Sequence, residues 1–280
     1  MYSDIRDIDI ERITYEEING FAFPSKRGKG LKSIIYHIDG LLIDTGHKHA
    51  RSDILRSVKS LRVDQMLITH HHEDHSANID VIQKLFSCPV KGSPLCSQMM
   101  KTRREDIGFA RKRSWGVSPI YEDIEPVEEL IKTKHYAFQI IPVPGHASDM
   151  IALYEPSRKW LFTADAYLSS FIGYFMREEG MAQQIHSLRR LLELDFDAVL
   201  CSHNPVWSGG KEKIKKKLDY FERTFASIKS LYEKGYSQRA IRQALGMKEY
   251  WDVRLLSQGH LSAKNMINAV IREVNSGVSI

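Results

Sequence analysis

The chain has 280 residues, 42 % hydrophobic and 27 % charged, with a net charge of +5. That is an ordinary globular composition, and its mildly basic balance permits an anionic substrate or nucleic acid while demanding neither. The three cysteines, Cys88, Cys96 and Cys201, form no CxxC pair, which sets aside a disulfide framework and a thiolate zinc site. No apolar run resembles a signal peptide or a membrane span, so a cytoplasmic protein with no membrane partner is expected.

Residues 1–30 are polar and mixed, with a short strand at 21–23 ended by Pro24 and a basic, solvated hairpin loop at 26–32. Residues 31–38 and 41–44 read as strands joined by Asp39-Gly40, a strong hairpin signal. A helix over 52–61 carries Ile54, Leu55, Val58 and Leu61 on one face, a strand follows at 63–68, and a helix at 78–86. This alternation predicts α/β layering. Residues 99–113 read as an exposed helix with a charged face, or as a basic rim that steers anions to a site.

Strand-like runs return at 137–143, 160–163 and 198–201. Residues 168–181, with Phe171, Ile172, Tyr174, Phe175 and Met176, read as a core helix or as the lining of an apolar acyl pocket, for which Trp115 and Trp207 are further candidates. The last quarter is helical. A basic run at 211–217 leads into an amphipathic helix at 218–234, a short helix at 237–245, and a final helix capped by Ser262. Two parts are therefore expected: 1–210 as the catalytic domain and 211–280 as a helical extension packed on it.

The chemistry concentrates after the 63–68 strand, in Thr69-His70-His71-His72-Glu73-Asp74-His75. Setting His71 and Glu73 aside leaves His70, His72, Asp74 and His75, a metal-ligand arrangement on a loop. His146 after Pro144-Gly145, Asp165 and His203 stand where other strand-like runs end, which is where such folds keep their chemistry. The natural allocation gives His70, His72 and His146 to one metal, Asp74, His75 and His203 to a second, and Asp165 to both. The assembled centre would favour an anion developing in the transition state. His37, His47, His49, His71, His135, His186 and His260 are read as ordinary packing or surface residues.

The segment Thr69 to His75 resembles the Thr-His-x-His-x-Asp-His signature of the metallo-β-lactamase superfamily of binuclear hydrolases. His146 in Pro144-Gly145-His146, Asp165 in Phe162-Thr163-Ala164-Asp165 and His203 in Cys201-Ser202-His203 match its later ligands, and Leu42-Ile43-Asp44-Thr45-Gly46 its early strand-end motif. The resemblance covers roughly residues 15–207. It implies an α+β fold, a four-layer αββα sandwich, here with a C-terminal helical appendix. It also implies two Zn2+ ions, with Fe or Mn as alternatives, and Asp44 behind the ligands as an acceptor for a ligand histidine.

Asp165 at the bridging position is similar to the glyoxalase II and lactonase branch and points away from antibiotic hydrolysis. The expected function is cleavage of a carboxyl ester, thioester or lactone of a small, possibly anionic molecule by a metal-bound hydroxide. Asp74 orients the nucleophile, and Tyr167 donates a hydrogen bond to the substrate. A phosphodiesterase or ribonuclease is the alternative, supported by the basic stretches and by residues 237–246, which resemble the start of a helix-turn-helix. An iron-dependent sulfur dioxygenase is a more distant one. The sequence leaves room for a homodimer.

Overall fold

Asp39 and Gly40 both take positive φ, +45° and +80°, the twist that closes a two-residue hairpin. Around that turn the computed structural model builds an antiparallel meander. It describes residues 10–25, 30–102 and 107–280. The chain divides into two units, 1–107 with 111–140 and 108–110 with 141–280.

In the first unit the meander is β1 (Glu11–Tyr15), β2 (Ile18–Pro24), β3 (Lys32–Ile38) and β4 (Leu41–Ile43). Helix α1 (Arg51–Val58) leads to β5 (Gln65–Ile68), which pairs parallel to β4. Then come α2 (Glu73–Ser76), α3 (Ile79–Phe86), β6 (Val90–Gly92), α4 (Pro94–Met100), α5 (Phe109–Trp115) and β7 (Ile124–Pro126), with β6 and β7 extending the parallel run. The seven strands lie side by side in sequence order. A further hairpin joins β8 (Leu130–Lys132) to β9 (Ala137–Pro142).

The core of this unit joins Phe23, Ile35, Leu42 and Met66 of the sheet to Ile54, Val58, Ile79 and Ile82 of the helices. Burying each such side chain contributes about 1.5–3 kcal/mol. Ser93 caps α4 by accepting from the Cys96 amide at 3.0 Å, with Pro94 pre-set at the first helical position.

In the second unit β10 (Ile151–Glu155) pairs antiparallel with β11 (Trp160–Ala164). Next come β12 (Phe175–Met176), α6 (Met181–Leu192) and β13 (Ala198–Cys201), the last parallel to β11. The remaining elements are α7 (Gly210–Glu233), α8 (Gln238–Ala244), α9 (Trp251–Leu256), β14 (Leu261–Ser262) and α10 (Ala263–Asn275). Strands β12 and β14 form a small antiparallel pair. One apolar cluster holds Leu161 and Val199 of the strands with Ile185 of α6, Phe221 and Phe225 of α7, and Met266 of α10. Ser262 caps α10 through the Asn265 amide at 3.2 Å, as its sequence position predicts.

Several expectations need correction. Residues 168–181 are not a helix. The stretch holds an irregular segment and β12, and Met181 opens α6 instead. Gly173 lies where a Cβ would meet the Tyr250 ring, and Gly180 takes an extended conformation before α6, so the apolar run is broken by close backbone approaches. The expected single helix over 99–113 is replaced by α4, which stops at Met100, and α5. Its residues 103–106, like 26–29 of the basic hairpin loop, lie outside the described residues. The basic run at 211–217 and the apolar run after it are one 24-residue helix, α7. Among the described residues no helix is long and apolar enough to cross a membrane.

Candidate metal centre

The first unit supplies its donors beyond the carboxyl end of β5 and supports them from the end of its parallel neighbour β4. Residues 69–71 bend away from the end of β5, and His72 is extended at φ −64°, ψ 153° when α2 begins at Glu73. Helix α2 then brings His75 back, so that the His70 ring lies 4.5 Å from His72 and 4.0 Å from His75. Asp74 Oδ2 stands 3.7 Å from His75 Nε2.

Asp44, just past β4, locks this arrangement. Its backbone sits at φ +62°, a region that a short polar residue tolerates. Its carboxylate accepts from the Thr69 amide at 2.8 Å, from Thr69 Oγ1 at 2.9 and 3.0 Å, and from His75 Nδ1 at 2.7 Å. Thr69 Oγ1 in turn lies 3.1 Å from His70 Nδ1. With Nδ1 donating in both rings, Nε2 is the nitrogen that would bind metal at His70 and His75. The sequence reading of Asp44 as a partner of a ligand histidine matches this geometry.

The second unit gathers three more donors. Ala164 takes φ +45° and the β11–β13 register shifts beside it, which turns Asp165 out of the strand. His203 follows β13 on a turn whose amides, from His203 and Asn204, donate to the buried Cys201 sulfur. Burial pushes that thiol up to about 12, so it is inert at neutral pH. His146 follows Gly145, which at φ +139° has its Cα against α6: a Cβ there would fall 2.7 Å from the Gln184 amide nitrogen. His203 Nε2 lies 3.2 Å and His146 Nε2 3.4 Å from the same oxygen, Asp165 Oδ2.

The donor chemistry of each half fits divalent cations. The His70 ring packs 4.5 Å from His72 and 4.0 Å from His75 in a buried place, an arrangement of imidazole donors that suits a cation. His146, His203 and Asp165 thus offer two imidazole nitrogens and a carboxylate oxygen that could hold a cation. The histidines set aside in the sequence go elsewhere. His37, His47 and His186 bond the carbonyls of Arg62, Phe23 and Ser279.

Three residues of this region were not found from the sequence. Glu73, set aside there, is buried and held by Arg111 through Nε at 3.0 Å and Nη2 at 2.6 Å. Arg111 is therefore not part of an exposed charged face. Glu179 stands 3.7 Å from His146 Nδ1 and is itself fixed by the Met176 amide and Gln184 Nε2, each at 2.9 Å. Lys217, inside the expected basic run, is buried and donates from Nζ to the Ala166 carbonyl at 2.8 Å. A charge between like neighbours in sequence gives no sign that it turns inward.

Burial drives the Lys217 pKa down to about 8 from 10.5. Between those values the unfolded chain holds the proton more tightly, so native stability rises with pH across that window. Replacing Lys217 by Met is expected to remove this rise, seen as a Tm that no longer climbs between pH 8 and pH 10 relative to the parent chain.

Strand-end donors of this kind define a class of metal-holding α+β proteins, and the comparisons place the chain within it. The family model described as the metallo-beta-lactamase superfamily matches residues 39–203, and the chain belongs to that superfamily. An Aquifex aeolicus protein described as uncharacterized is 27 % identical over 180 residues, 62 % of this chain and 83 % of that one. A hydroxyacylglutathione hydrolase of Chromohalobacter salexigens is 29 % identical over 162 residues, 57 % of this chain and 54 % of that one. The chain thus spans about half the length of the hydroxyacylglutathione hydrolases it matches. A metallo-beta-lactamase structure from Pontibacter korlensis aligns with TM-score 0.60 at 19 % identity, over 76 % of this chain and all but 1 % of its own (99 %). The α+β fold of the superfamily with C-terminal helices, expected from the sequence, holds. The coarse class of metal-dependent hydrolase holds with it.

Proposed function

We propose that the chain hydrolyses small acyl thioesters at a centre of two divalent cations, zinc by the imidazole and carboxylate character of its donors. His70, His72 and His146 hold one cation, Asp74, His75 and His203 the other, and Asp165 is shared. The observation that carries this is the approach of His146 and His203 to one oxygen of Asp165. Thioesters are chosen from the wider ester and lactone class because relatives at 25–30 % identity are named hydroxyacylglutathione hydrolases, and a hydroxyacylglutathione is a thioester.

Bound cations at such donors supply Lewis acidity toward water and a carbonyl. Asp74 orients the attacking water and accepts its proton. Water oxygen bonds to the acyl carbon, the C–S bond breaks, and the proton passes to the sulfur, giving a carboxylic acid and a thiol. Asp44 holds His75 in its tautomer through a hydrogen bond, and Glu179 places its carboxylate 3.7 Å behind His146. The division near residue 210 into a catalytic part and a helical extension is part of this reading.

Tyr167, expected as a donor to substrate, is 3 % exposed and belongs to the apolar cluster of the second unit. That place favours packing. Tyr167→Phe is expected to change kcat by less than about threefold, since loss of a transition-state donor costs far more, on the order of 10²-fold. The reaction class is tested on matched acyl thioesters, lactones, aryl esters and phosphodiesters. Thioesters are expected to give the highest kcat/KM, and faster cleavage of phosphodiesters would overturn the assignment.

A further inference from the structure

Two adjoining cavities lie among the C-terminal helices of the second unit, of about 570 and 390 Å³. None of the proposed metal ligands lines them. Arg177, Arg254, Lys264 and Arg272 line the larger one, with no carboxylate. The smaller shares Arg254 and Lys264 and adds Arg239, Arg242, Trp251 and one acid, Glu249. Glu249 is already engaged, by Arg254 Nη1 at 3.1 Å and the Ala263 amide at 3.1 Å.

The arginine forks are pinned from one side. Arg177 Nη2 donates to the Gln258 carbonyl and Arg272 Nη2 to the Glu179 carbonyl, each at 3.0 Å. Each guanidinium has five N–H donors, so such pinning fixes its direction and still leaves donors for a ligand. Lys264 is exposed and makes no ion pair among the described residues. Arg254 is already paired with Glu249 and Arg272 lies in the field of Glu273, so Arg177 and Lys264 are the cations of the hollow that an anion would join, and they suit a phosphate group. Arg254 also lies 5.2 Å over the Trp251 ring, which is 57 % exposed, giving an aromatic face for a base beside the phosphate site.

The hollow is tied to the metal region through one residue. Glu179, whose carbonyl anchors Arg272 in the cavity wall, is the residue that stands 3.7 Å from His146. We infer that this cleft holds the nucleotide-phosphate end of the substrate's thiol carrier, so that the substrates are acyl thioesters of a nucleotide-bearing thiol such as coenzyme A. The inference rests on the thioester reading above. A concave hollow gripping a phosphate group suits such a compact end better than a nucleic acid, which needs a continuous positive face.

The test uses the metal-loaded full chain with adenosine 3′,5′-bisphosphate as the probe in calorimetry. The probe is expected to bind, and Arg177→Gln and Lys264→Gln each to weaken it at least about tenfold, the scale of a charged hydrogen bond. The same variants are expected to raise KM for acetyl-coenzyme A by a similar factor while leaving kcat, and leaving the rate on an acetyl thioester truncated to its pantetheine arm. If no thioester is cleaved yet the probe binds and both variants lose it, the reaction assignment fails and the nucleotide cleft stands. Absence of probe binding, variants that bind it like the parent, or a short single-stranded RNA that displaces it at lower concentration would overturn the cleft assignment.

Discussion

Asp74→Asn is expected to lower kcat for thioester hydrolysis by about 10³-fold, within the range for loss of a general base, with the fold intact. On the proposed roles the change removes both the proton acceptor and an anionic donor beside His75, which lies 3.7 Å from Asp74 in the parent chain. Metal content should fall from two ions per chain toward one, since the remaining donors of that site are two imidazoles and a shared carboxylate. Elemental analysis of the dialysed variant, read beside its kcat, checks both effects. A variant that keeps two metals and the parental rate would remove Asp74 from the mechanism.

Asp44 is the second position of large effect. Its carboxylate serves three buried donors: the Thr69 amide, Thr69 Oγ1 and His75 Nδ1. Asp44→Ala strands them, at about 1–3 kcal/mol for each donor left buried without a partner, so a stability loss of several kcal/mol is expected. Asp44→Asn separates the two roles. Asparagine tolerates the positive φ and can still accept from Thr69, but its amide cannot serve His75 as the carboxylate does. The Asn variant is therefore expected to keep most of the stability and to bind metal about 10–100-fold more weakly. Denaturant melts and metal titration of the two variants distinguish these outcomes.

Much of the site was legible because its signal is local. His70, His72, Asp74 and His75 sit within six residues at the end of an apolar run, and a strand followed by a helix turn brings their donors together with little help from elsewhere. The hairpin at Asp39-Gly40 was legible for the same reason. What escaped was set by contacts between segments far apart in sequence. Arg111 meets Glu73 across 38 positions, and Glu179 meets His146 across a turn, β10, β11 and β12. Neither pair has a period or spacing to betray it.

The misread helix at 168–181 fails for another reason. Its apolar residues are real core and pocket material, Phe175 being fully buried while Phe171 is 65 % exposed. The glycines at 173 and 180 mark where the chain must pass close to Tyr250 and bend into α6. Composition there was informative, but its helical period was accidental. The C-terminal cations were visible only as scattered charges. Their convergence depends on α8, α9 and α10 being folded against one another, which no local pattern states.

The central claim is that two divalent cations, held by donors from both halves of the ligand set, carry the hydrolysis. The most direct measurement is a metal titration of the chelator-stripped full chain, with hydrolysis of an acyl thioester followed at each point. The rate should be absent at zero metal and rise to a plateau at two equivalents of Zn2+ per chain. A stripped chain that hydrolyses the thioester at the full rate would contradict it.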